Sequence, residues 1–186
     1  VQWGIYIKVS GLQFLIGKVF RDLKSTPLNK LKLAMRVIYR HELFHFTVEY
    51  AVSQVEAMLG VGLFRQATGL LKDTGGTHKY NGLEEKLANA YMRRGLRWAN
   101  AYAGIPGKPA VLKNFFKMQP EGYRDAEKVV KDRDFFAACE ELLGDYFGCN
   151  GASNEFLHAS SIDALLESLA DSLPVHCPTH LVDDST

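Results

Sequence analysis

Two histidines and a glutamate define the chemistry open to this chain. They stand in the run Ile38-Tyr39-Arg40-His41-Glu42-Leu43-Phe44-His45-Phe46, a His-Glu-x-x-His pattern. On a helix, residues four apart share a face and lie about 6 Å apart along the axis. Both imidazoles can therefore reach one metal ion, with the carboxylate of Glu42 beside them. That is the arrangement of a zinc site able to activate water for hydrolysis.

The elements around this run must present it correctly. Thr26 supplies an N-cap and Pro27 suits a first helical position, and no Pro or Gly follows until Gly60, which predicts a helix from about 27 to 59. Along it Leu31, Ala34, Ile38, His41, His45, Val48, Val52, Val55 and Leu59 recur at spacings of three and four. This reads as one stripe facing the core, with the histidines as its only polar members. Two buried histidines bonded only to backbone would be costly to desolvate, and a metal relieves that cost.

Elsewhere, Ile5-Tyr6-Ile7-Lys8-Val9 reads as a strand closed by Gly11, followed by a short apolar stretch to Leu23. Residues 60 to 82 read as a broken helix and then a glycine-rich loop. Asn81 with Glu84 three residues later forms a capping box that opens a helix over about 83–103, ended by Gly104-Ile105-Pro106-Gly107. A loop through Pro120 precedes a helix over 121–147 with Phe135, Phe136, Leu142, Leu143 and Phe147 as core residues. After a loop over 148–154, Ser160 caps a further amphipathic helix that stops at Pro174. Val175 to Val182 reads as a tail strand that Pro178 confines to an edge.

A zinc that catalyses hydrolysis needs a third protein ligand and keeps a fourth position for water. The second helix carries Glu84-Glu85-Lys86-Leu87-Ala88-Asn89, in which Glu85 and Asn89 are four apart. Here the sequence resembles the gluzincin metallopeptidases, whose downstream helix carries Glu-x-x-x-Asp or Glu-x-x-Ala-Asn, and looks similar to the ImmA/IrrE-type peptidases. The resemblance covers the two helices. It implies His41, His45 and Glu85 as zinc ligands, Glu42 as general base, and Asn89 as the group holding the first histidine in its ligating tautomer. Glu84 competes for the ligand role, but its capping-box spacing gives it a local task and favours Glu85. In that chemistry zinc acidifies a water, Glu42 takes the proton, and an amide carbonyl is attacked. A further donor often stabilises the oxyanion, for which His158 is the leading choice, with His78 and Tyr80 behind it.

Composition bounds these readings. With 186 residues, 47% of them hydrophobic, the chain suits a single domain over residues 1–186. A net charge of +1 without a basic block argues against nucleic acid. Tyr91, Trp98 and Tyr102 with Arg93, Arg94 and Arg97 spread around their helix as a mixed packing and solvated face. Cys139, Cys149 and Cys177 are odd in number and at no ligand spacing, which reads as reduced thiols in a cytoplasmic protein. No apolar run approaches a membrane span, and the start Val1-Gln2-Trp3-Gly4 resembles no signal peptide and points to excision from a longer chain.

Two rival classes compete with a peptidase. Glu42-x-x-His45 and Glu155-x-x-His158 could serve a ferritin-like di-metal site, although no glutamate precedes the first pair. A non-catalytic helical interaction domain could use zinc only as a tie, but structural zinc usually closes its sphere with cysteines and has no use for Glu42. Within the peptidase reading, Cys177 in the tail could cap the zinc and silence the enzyme, although a tail strand with incidental polar residues accounts for it more simply. The expectation is a mainly helical α+β fold, a zincin-like helix pair with a small sheet. Its function is zinc-dependent hydrolysis of a peptide or protein substrate.

Overall fold

Alternation in Ile5-Tyr6-Ile7-Lys8 buries both isoleucines and exposes Tyr6 and Lys8, forming strand β1 (Ile5–Lys8). The computed structural model describes residues 4–60, 62, 79–98, 108–120, 122–148 and 178–183. The strand stops at Lys8, one residue short of the expected Val9, and Gly11 does not close it. That glycine lies within helix α1 (Val9–Phe14), which continues into a π-helical turn over Leu15–Val19. The wider turn closes through Phe20 N–H donating to the Leu15 carbonyl at 2.7 Å, and it delivers Phe20 fully buried to the core.

Helix α2 (Pro27–Leu59) has the predicted bounds. Thr26 Oγ1 accepts from Asn29 N–H at 3.2 Å, and Pro27 has no N–H to leave unpaired. At the other end Gly60 adopts a φ of 67°, and its N–H donates to the Glu56 carbonyl at 2.8 Å. The 33 residues span about 50 Å, long enough to serve two cores.

The remaining elements are α3 (Lys79–Trp98), α4 (Lys108–Lys117), a 3-10 turn (Arg124–Val129), α5 (Asp132–Gly148) and β2 (Thr179–Val182). Strands β1 and β2 pair in parallel, Ile5 with Thr179 through Lys8 with Val182, and Pro178 sits just outside, accepting from Ile5 N–H. Among the described residues the fold is thus mainly helical with one two-stranded sheet. No described helix is long and apolar enough to cross a membrane.

Packing explains why α2 is buried on more than one stripe. Phe44, Val48 and Val52 join Leu87, Ala88 and residues of α5 in one core. Leu33, Ala34, Val37 and Phe46 join β1, Met92, Leu96 and Phe116 in another. The expected single stripe is corrected accordingly: Ala34, Val48 and Val52 are buried, but Leu31 is exposed and the two histidines are half-buried at the junction of the cores. In α5, Phe135, Leu142 and Leu143 are buried while Phe136 is exposed. The thiol of Cys139 is free and buried, and burial pushes it up to about 12. Arg94 lies over Phe135 and donates to the Val130 carbonyl, and Arg93 pairs with Glu127, so this arginine face is spent on packing and ion pairs.

Two helix boundaries differ from expectation. Residues 108–117 are helical where a loop was expected, and the expected helix over 121–147 is broken before Asp132. Gly122 explains part of the break: its φ of 94° is foreign to a helix, and a Cβ there would lie 2.9 Å from Gly82 Cα. This contact seats the turn against the start of α3. Gly122→Ala should therefore cost about 1–3 kcal/mol of stability, read from urea unfolding; a cost near zero would show that the turn relaxes freely. The expected elements over 61–78 and 151–177 lie outside the described residues, apart from Gly62.

Candidate metal centre

Helix α2 brings His41 and His45 to one face, with ring centroids 4.9 Å apart. Helix α3 packs along α2 and sets Glu85 against both rings. Three atoms converge: Nε2 of His41 and Nε2 of His45 are 3.2 Å apart, and Glu85 Oε2 is 3.1 Å from the first and 3.5 Å from the second.

The neighbours decide which of these atoms carry protons. Asn89 is buried, and its Nδ2 donates to the Tyr123 carbonyl at 3.1 Å, which turns its Oδ1 to His41 Nδ1 at 3.0 Å. An amide oxygen only accepts, so His41 Nδ1 is the donor and its Nε2 lone pair faces inward. His45 Nδ1 donates to Glu84 Oε1 at 2.7 Å, while Glu84 Oε2 accepts from the Tyr146 hydroxyl at 2.7 Å. In its neutral form His45 also presents Nε2 inward.

With both imidazoles neutral, three acceptors meet, and Glu85 Oε2 is buried without a hydrogen-bond donor. Lone pairs at this spacing repel unless a cation lies among them. Ligand atoms about 2.0–2.1 Å from a tetrahedral zinc are about 3.3 Å apart, close to the three separations found. The donor set fits the zinc that the gluzincin resemblance implies, and His41, His45 and Glu85 are the residues that would hold it. The local field agrees: burial alone would lower the pKa of His45, but Glu84 and Glu85 outweigh it and raise it to about 10. Burial would likewise raise Glu85, yet the two imidazoles hold it at about 2. Positive charge is favoured at this point, whether a proton or a metal ion supplies it.

The expected capping box is not formed. Helix α3 begins at Lys79, so Asn81 and Glu84 lie inside it, and Glu84 instead ties His45 to Tyr146 on α5. Such an outer hydrogen bond orients a ligand imidazole and raises its basicity. Tyr146→Phe should weaken zinc binding by about 10-fold, measured by competition with a chromophoric chelator; unchanged affinity would mean Glu84 needs no support from α5.

Glu42 stands apart from the triad and lines an adjacent cavity together with His41, Asn89 and Tyr123. The Tyr123 phenol was not foreseen. Burial, then the charge of Glu85, a hydrogen bond to it and the charge of Glu42 push it up to about 12. His78 and His158 lie outside the described residues, as do the side chain of Tyr80, Glu155 and Cys177. His180 stacks on Tyr6 in the sheet. Nothing in the local sequence marks Tyr123 or Tyr146; only their distance from helix α3 after folding does. Compared with known protein families, curated proteins and solved structures, the chain matches none.

Proposed function

We propose that this chain is a zinc-dependent metallopeptidase of gluzincin type that hydrolyses a peptide or protein substrate. His41, His45 and Glu85 hold the metal, and Glu42 is the general base. The observation that carries the reading is the triangle of inward lone pairs with edges of 3.1–3.5 Å, its tautomers set by Asn89 and Glu84. A structural tie needs no free carboxylate at its rim, whereas Glu42 lines the cavity beside His41. We place the protein in a reducing, cytoplasmic setting on its odd cysteine count and the buried thiol of Cys139.

Zinc, when bound, supplies an acidified water and polarises the substrate carbonyl. Glu42 accepts the proton of the attacking water and passes it to the leaving amine. Tyr123 lines the same cavity as His41 and Glu42 and keeps its proton at neutral pH, and its hydroxyl turns from Glu85 to donate to the carbonyl oxygen as negative charge grows there. Asn89 and Glu84 keep both imidazoles aimed inward throughout.

The test is to incubate the zinc-loaded chain with a diverse peptide library and identify new termini by mass spectrometry. Cleavage that a chelator stops and added zinc restores is expected. A chain holding one zinc that cuts nothing in the library would overturn the reading in favour of a non-catalytic tie.

A further inference from the structure

The cavity beside His41 and Glu42 has a volume of about 250 Å3 and walls that are largely apolar. Phe14 and Leu15 reach it from the junction of α1 and the π-helical turn, Val37 and Ile38 from the turn of α2 before His41, and Phe115 and Phe116 from the end of α4. Met92 joins them from α3. These walls belong mostly to elements that lie outside the two helices of the metal centre. Among the described residues the polar lining consists of His41, Glu42, Asn89 and Tyr123, all at or beside the centre, with Gln119 added to them.

Size and charge restrict what can enter. Pockets for whole drug-sized ligands hold about 300–1,000 Å3, so this one suits a single large side chain. Among the described residues no lysine or arginine lines it, and Glu42 does, so an acidic side chain would meet repulsion there. A lysine or arginine would be drawn to Glu42, but its charged end would lose water among the apolar residues that make most of the wall. A small side chain would leave most of the apolar wall uncovered.

We propose that this cavity receives a bulky uncharged side chain, Leu, Met or Phe, carried by the residue beside the bond to be cut. This specificity rests on the peptidase reading above. The continuity of the cavity with His41 and Glu42 places such a side chain next to the reacting carbonyl. Ile38, one turn from His41, and Phe116 then determine which side chains fit.

Two binding measurements separate this proposal from the metal reading. In the first, leucine hydroxamate, acetohydroxamate and aspartate hydroxamate are titrated into the zinc-loaded chain by calorimetry. Leucine hydroxamate should bind about 10–200-fold tighter than the other two, and Ile38→Trp, which fills the cavity, should remove most of that advantage. In the second, N-acetyl-phenylalanine amide is added to the metal-free chain while the Met92 methyl resonance, assigned through Met92→Leu, is followed by NMR. A saturable shift is expected. If the three hydroxamates bind alike and the Met92 resonance does not move, the side-chain pocket is refuted while the metal centre stands. If the chain takes up no zinc but the Met92 resonance still shifts, the pocket is supported and the peptidase reading falls.

Discussion

Glu42→Gln should leave zinc bound and lower the rate of peptide hydrolysis by about 10²–10⁴-fold, the range that a positioned general base contributes. The substitution keeps the shape and volume of the side chain but removes its capacity to accept a proton at neutral pH. Glu42 is not one of the three converging ligands, and it lies half-buried on the cavity wall. Metal content and melting temperature should therefore match the parent chain, and the loss should fall on kcat with KM little changed. Should the variant cleave at the parental rate with its metal in place, Glu42 is not the base, and the hydrolytic mechanism written above fails with it.

The second large effect concerns the metal itself. A ligand that binds only the folded chain stabilises it by about 4 kcal/mol at a thousandfold excess over its Kd. For a chain of this size that corresponds to a rise in Tm of roughly 8–16 °C. Glu85→Ala and His45→Ala should each abolish the zinc-dependent rise. Without metal each substitution also removes one half of the pairing between Glu85 and the imidazoles, so both variants should melt below the parent chain in the presence of a chelator. Scanning calorimetry with and without zinc reads both effects. If Glu85→Ala keeps the full zinc response and Glu84→Ala loses it, the third ligand is Glu84.

Where a feature depends on near neighbours along the chain, it could be read before folding. Helix α2 is one such feature: Thr26, Pro27 and Gly60 set its ends through contacts made within a turn, and no interruption lies between them. The pairing of His41 with His45, and of Glu85 with Asn89, follows from helical period alone. Helix α4 is not legible in the sequence because ten residues with Pro109 at their start carry too little periodic signal against a loop. The break between α4 and α5 is not legible for another reason. It rests on the contact of Gly122 with Gly82, a residue on a different helix.

Glu84 shows the limit most clearly. Three residues after Asn81 it has the spacing of a capping box, and that local rule assigned it a task at the helix start. Packing overrode the rule, because α3 begins four residues earlier than the expected 83 and turns Glu84 toward His45 and toward Tyr146, 62 positions away. Likewise, the orientation of Asn89 depends on a carbonyl 34 residues downstream.

What the sequence by itself determined is which side chains share a helical face, since backbone geometry repeats every 3.6 residues whatever surrounds it. That was enough to name two imidazoles, a glutamate beside them and a second helix with a carboxylate and an amide. Only the tertiary structure decided how they work together. The tautomers of the histidines, the convergence of their lone pairs with Glu85, the approach of Tyr123 and the apolar cavity at their side all arise from contacts between distant segments. Those contacts are set by how α2 is shared between two cores, a packing outcome that no local spacing encodes.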